Sequence, residues 1–125
     1  MSNSWTIWLW VALGGAAGSS LRFTISRLIA GISQARFPWA TLSVNLLGCL
    51  FIGLAMGWIS KNGMERWAPL MVSGFLGGFT TFSAFGWESY QMLREEAIGS
   101  MLIYIGLSIV LGILFVMMGY KWMNA

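Results

Sequence analysis

The sequence predicts an all-α integral membrane protein with four transmembrane helices, the third of them broken near its middle. Three observations carry that prediction. Hydrophobic residues make up 58% of the 125 and charged residues only 9%, whereas a soluble domain needs roughly a quarter charged residues to clothe its surface. Residues 5–21, 38–60, 67–87 and 97–120 contain no Asp, Glu, Lys or Arg. Each run reaches or approaches the roughly 20 residues that cross about 30 Å of hydrocarbon as a helix. Within the third run stands "GGFTTFSAF", residues 77–85, whose glycines and hydroxyl side chains favour an interruption over a continuous helix.

In chain order, the first helix is expected from about residue 5 to residue 32, its last turns beyond the hydrocarbon. "SQARFP" forms the first loop, and Pro38 suits a helix start because its missing N–H would go unused there. The second helix then runs to about Ile59 and ends at the polar turn "SKNGMER". The third starts near Trp67, is interrupted over residues 77–81 and resumes into the amphipathic "ESYQMLREE", expected at the membrane surface. The fourth spans about residues 99–121. Tryptophans at 5, 8, 39, 58, 67, 87 and 122 fall near the ends of these segments, the level where amphipathic rings anchor helices. Glycines four apart, at 14 and 18, 53 and 57, 74 and 78, let helix backbones meet closely in lipid, either inside one protomer or between two. A single domain, residues 1–125, is expected.

The first segment lacks a basic start, and Arg22 and Arg27 follow its apolar run, so a cleaved signal peptide is not expected. Cys49 is the only cysteine, there is no histidine, and the carboxylates are Glu65, Glu88, Glu95 and Glu96. That inventory leaves little for acid–base or metal chemistry, and an enzyme is not expected. A net charge of +3 is too small and dispersed to suggest nucleic acid binding. Arg22, Arg27, Arg36 and Arg94 fall on one membrane face and Lys61, Arg66 and Lys121 on the other. Lys/Arg asymmetry sets orientation, so this near balance predicts dual insertion, with opposite copies paired as an antiparallel dimer. Four short helices also enclose too little volume for one protomer to surround a pathway.

A break at mid-membrane needs a purpose, because each backbone group it frees costs several kcal/mol unless satisfied. Either the Thr80 and Thr81 hydroxyls seal a glycine kink, or the freed carbonyls coordinate a cation while the following half-helix favours an anion. Phe82 and Phe85 share one face of a helix resuming at Thr81. They pack or contact lipid, or they turn their positive ring edges inward. Thr41, Asn45 and Gly48 share a face of the second helix, the Asn45 amide carrying two N–H donors. Tyr104 and Ser108 lie one turn apart on the fourth. No carboxylate is expected in any membrane core, and Arg22 is free to snorkel from the end of the first helix. Donors and ring edges without carboxylates suit an anion better than a cation.

"GFLGGFTTFSAF" (74–85), preceded in order by "GGAAGSSLRF" (14–23) and "TLSVNLLGCLFIG" (41–53), resembles the signature segments of the Fluc or CrcB family of bacterial fluoride channels. The likeness extends over nearly the whole chain. The resemblance implies a passive, fluoride-selective channel, multi-pass in the bacterial inner membrane, that lets cytoplasmic fluoride leave. It implies an antiparallel homodimer with two narrow pores and a structural sodium ion at the dimer centre, held by the backbone carbonyls of Gly77 and Thr80 from both protomers. Phe82 and Phe85 match the family's pore phenylalanines and Asn45 its pore asparagine, while Ser83 and Thr41 match nearby polar positions. Tyr104 and Ser108 match the start of a polar track on the fourth helix. One turn on, Gly112 departs from relatives that carry a hydroxyl there. Arg22 matches an arginine near the pore vestibule, placed to raise local anion concentration or to serve structure alone.

Two rival functions fit the size. A dual-topology multidrug exchanger coupled to protons needs an intramembrane ionisable group, which the expected helices do not supply. A nonconducting assembly subunit explains the glycine spacing but leaves the break, Asn45 and the phenylalanine pair without a purpose.

Overall fold

The computed structural model describes residues 3–125, in which every regular element is helical. α1 (Ser4–Ile32) and α2 (Trp39–Asn62) match the first two expected helices, α2 running slightly past Ile59. Pro38 stands immediately before α2 rather than in it, its carbonyl accepting from Leu42 N at 3.1 Å. Gly63 stops α2 in the left-handed region (φ 62°), a conformation easiest for a residue without Cβ. The third segment comprises a 3₁₀ turn (Glu65–Trp67), a π-helical run (Pro69–Leu76), the short α3 (Gly77–Phe79) and α4 (Phe82–Arg94). α5 (Ile98–Asn124) follows.

The chain is thus all-α, with four helical segments among the described residues. Trp39–Asn62, Glu65–Arg94 and Ile98–Asn124 are long and apolar enough to cross a membrane. α1 has length enough at 29 residues. Its second half is diluted by Ser19, Ser20, Arg22, Thr24, Ser26 and Arg27, and it is not among the segments apolar enough to span. The π-helical run is not foreshadowed by the residue pattern. Gly77 N–H reaches both Val72 O and Gly74 O there, which widens the turn just before the break. No residue type explains the extra width, although such turns recur at functional sites.

α2 lies along α5, and α1 lies along the π-helical run and α3. Both seams depend on glycine. A Cβ on Gly18 would strike Phe75 O, and one on Gly119 would strike Leu50 O, so backbones meet where any side chain would hold them apart. The 14/18 and 74/78 glycines therefore pack against one another's helices inside the protomer. Val44, Phe79 and Tyr104 are fully buried, whereas Trp5, Trp8, Phe23, Leu28 and Trp122 lie open on the outside. A soluble monomer rarely exposes so much large apolar surface, which marks a membrane or partner-facing exterior. Towards one end, Trp10 stacks on Trp67 with centroids 5.6 Å apart, and Arg66 lies over the same indole. That cation–π arrangement fits an interfacial anchor.

Candidate functional site

The interruption is narrower and later than the sequence suggests. Gly77–Phe79 still turn helically, and the chain is extended only at Thr80 (φ −84°, ψ 159°) and Thr81 (φ −147°, ψ 112°). Two β-branched residues take extended backbone readily. The glycines instead serve the contact with α1, since a Cβ on Gly78 would strike Gly15 O.

Several of the backbone groups freed at the break have identifiable partners. Thr81 N–H donates to Asn45 Oδ1 (2.8 Å), and Asn45 Nδ2 donates to Thr81 O (3.0 Å). Thr81 also caps α4, its hydroxyl accepting from Ala84 N at 3.2 Å and lying 3.3 Å from Ser83 Oγ. The Thr80 N–H and hydroxyl both donate to Leu76 O, at 3.0 and 2.9 Å. From the α1 side, Arg22 Nε donates to Gly78 O at 3.0 Å. The carbonyls of Gly77, Phe79 and Thr80 accept no hydrogen bond from any described residue.

Beside the break lies a cavity of about 400 Å³ whose lining includes Asn45, Gly77, Thr80, Phe82, Phe85 and Ser108. All of these belong to the predicted set. Phe82 is 83% exposed, and its ring centroid lies 5.6 Å from that of Phe85, which lies 5.2 Å from Tyr104. Cys49 is on the same wall, its Sγ 3.4 Å from where a Cβ on Gly112 would stand. The departure at Gly112 thus leaves a small side chain's worth of ordinary contact. Ser83 is exposed, and the cavity does not take it in.

Other predicted residues form a second cluster. Thr41 Oγ1 donates to one oxygen of Glu88 at 2.6 Å, and buried Tyr104 OH donates to the other at 2.7 Å. A carboxylate from the amphipathic part of α4 therefore joins the expected polar track at Thr41 and Tyr104. Glu88 follows Phe82 and Phe85 at the same three-residue step and continues their face. It reaches a polar cleft of about 550 Å³ shared with Arg36, Gln91 and Glu95. Carrying the 82, 85 spacing one step further would have found it. Its place in an amphipathic run gave it the look of a surface charge. Arg22, by contrast, turns back to the break instead of snorkelling outward. A larger cavity of about 600 Å³, among Leu13, Phe51, Leu54, Leu70 and Phe75, is apolar and holds none of the predicted residues.

No group of three or more His, Cys, Asp or Glu is gathered among the described residues; at the break the donors on offer to a metal ion are neutral oxygens. The unpartnered carbonyls of Gly77 and Thr80 are oxygen donors of the kind hard cations prefer. They fit the donor set expected for sodium, and Phe79 offers a further carbonyl.

A broken apolar span beside a cavity lined by polar donors and phenylalanine side chains defines a helical membrane protein of the channel or carrier kind. Residues 9–120 match the family described as CrcB-like protein, Camphor Resistance (CrcB). The chain is 46% identical over 114 residues to the fluoride-specific ion channel FluC of Methylobacillus flagellatus, covering 89% of each chain. It is 42% identical over 122 residues to the protein of that name from Solibacter usitatus, covering 94% of each. The Thermus thermophilus relative of the same name is 41% identical over 115 residues, 91% of this chain and 92% of its own. The chain belongs to the CrcB family.

Proposed function

We propose that the chain forms a passive, fluoride-selective channel that lets cytoplasmic fluoride leave across the bacterial inner membrane. Kinship with relatives named fluoride-specific channels supports the substrate. The observation that carries the mechanism is the single cavity in which Asn45, Ser108 and the Phe82 and Phe85 rings meet beside the break. Fluoride holds its water tightly, so a pore must offer donors in exchange. After bonding Thr81, Asn45 keeps one amide N–H, and Ser108 adds a hydroxyl. Ring edges add a weak positive field without a full charge, so the ion is held but not trapped. Selectivity over chloride requires a pore too tight for the larger ion. Hydrogen fluoride enters an acid-bathed cell as a neutral molecule and dissociates inside, and the negative-inside potential then drives the anion out.

Two oppositely inserted copies complete the assembly, with two pores. The exposed Phe82 and the near balance of Lys and Arg between faces support this antiparallel homodimer. α1 serves as the fourth crossing, its 29 residues exceeding the roughly 20 required. Gly77 and Thr80 of both protomers would hold a sodium ion at the centre. When bound, that ion supplies a fixed positive charge and ties the two breaks together.

Liposomes loaded with potassium fluoride and treated with valinomycin test this. A fluoride electrode should register rapid release with equal pH on both sides, and chloride-loaded vesicles should release little. Release that requires a proton gradient would point instead to an exchanger with Glu88 as its proton carrier. Absence of release would leave an assembly role.

A further inference from the structure

Arg22 stands ten residues before the end of α1 at Ile32, about 15 Å short of it at the rise of an α-helix. That is too far for the side chain to span. Helix side chains lean towards the N-terminus, and Arg22 accordingly turns to the break, where Nε lies 3.0 Å from Gly78 O. Close packing of Gly78 on the α1 backbone at Gly15 brings that carbonyl within reach.

The bond changes which oxygens the break offers. The extended pair Thr80 and Thr81 leaves the carbonyls of Gly77, Gly78, Phe79 and Thr80 without the amides that would follow in a helix, the usual condition of a helix C-terminus. Of these, Gly78 O alone is taken, and by a guanidinium, whose hydrogen bonds are roughly twice as strong as neutral ones. An oxygen so committed is a poorer ligand for a metal ion, because one of its two lone pairs is taken and a fixed positive charge stands beside it. The guanidinium also fixes a positive charge one peptide unit from Gly77 O, and it repels a dication about twice as strongly as a monocation.

We propose that Arg22 is a positioning residue: by holding Gly78 O it leaves the Gly77 and Thr80 carbonyls to a monovalent cation and disfavours a divalent one. This rests on the sodium reading given above. Its two contributions are separable by substitution. Glutamine retains an N–H donor without the charge, and lysine retains the charge without the planar Nε–H.

The experiment is thermal unfolding of the purified full-length protein in detergent, followed by tryptophan fluorescence. Sodium chloride or calcium chloride is titrated against potassium chloride at constant ionic strength, in fluoride-free buffer because calcium fluoride is sparingly soluble. Sodium and calcium ions are nearly equal in size and differ in charge. Wild type should gain stability with sodium and not with calcium. Arg22→Gln should keep a sodium response and respond to calcium at concentrations about tenfold or more below any that stabilises wild type. Arg22→Lys should stay indifferent to calcium. Arg22→Met should need about tenfold or more sodium for the same stabilisation. Wild-type sodium and calcium curves in both Arg22→Gln and Arg22→Met would overturn the proposal while leaving the sodium site standing. A wild type indifferent to sodium would overturn the site itself, and this proposal with it. Should Arg22→Met not assemble, the calcium contrast between Arg22→Gln and Arg22→Lys decides alone.

Discussion

Replacing Asn45 by alanine should be the most damaging truncation at the break. The side chain bonds Thr81 on both sides, at 2.8 and 3.0 Å, and no other described group bonds that amide or that carbonyl. A donor or acceptor left unmade away from water costs about 1–3 kcal/mol, so losing both costs about 2–6 kcal/mol. Asn45 and Thr81 are only half-buried in the protomer, which places the loss in the lower part of that range, about 2–4 kcal/mol. Asn45→Asp keeps the acceptor for Thr81 N–H but, when ionised, cannot donate to Thr81 O. It should lose about half as much stability and stop fluoride, because it sets a carboxylate in the anion's path. Equilibrium unfolding in mixed micelles, followed by tryptophan fluorescence, measures the first effect, and fluoride release from liposomes measures the second. Asn45→Ala within about 0.5 kcal/mol of wild type, the range of an inert surface change, would refute the claim that this amide holds the break. Fluoride release by Asn45→Asp at the wild-type rate would refute its role as a donor to the ion.

Phe82→Ile should slow fluoride release by about tenfold or more, equivalent to ~1.4 kcal/mol of barrier, with little loss of stability because the ring is exposed in the protomer. Phe85→Ile should slow release similarly but unfold more readily, since that ring packs on Tyr104; equal stability of the two variants would contradict the packing. Gly18→Leu should abolish a monodisperse species on gel filtration, because its Cβ would strike Phe75 O, whereas Gly31→Ala, with nothing near its Cβ, should elute as wild type. Glu88→Ala removes the acceptor of both Thr41 and Tyr104 and should cost about 1–3 kcal/mol in unfolding measurements. Tyr104→Phe leaves Glu88 bonded to Thr41 and should cost less, about 1 kcal/mol; the reverse order would show that Glu88 is not the hub of that cluster.

The membrane class and the helical segments are legible in the sequence because uncharged runs of bilayer length arise for few other reasons. Asn45, Phe82, Phe85 and Ser108 were also recognisable, and the fold does bring them to one cavity. The position of the break was less so. Glycines and threonines in residues 77–81 are all weak helix formers, so their pattern does not say where the break falls, and Gly77–Phe79 stay helical beside a close approach of α1 at Gly78. The face that Glu88 shares with Phe82 and Phe85 is legible in the spacing, but its bonds to Thr41 on α2 and Tyr104 on α5 are not, because only packing brings those partners to it. Arg22 shows the limit most plainly. Its helix position is clear from the chain, but its commitment to Gly78 O depends on a contact between segments 56 residues apart.

Whether this cavity passes fluoride is tested most directly by the reversal potential of channels in a planar bilayer under opposed fluoride and chloride gradients. Fluoride-selective conduction predicts a reversal that shifts by about 59 mV for each tenfold change in fluoride, as for any single monovalent charge, and ignores chloride. A reversal that tracks chloride, or protein that incorporates without passing fluoride current, would contradict it.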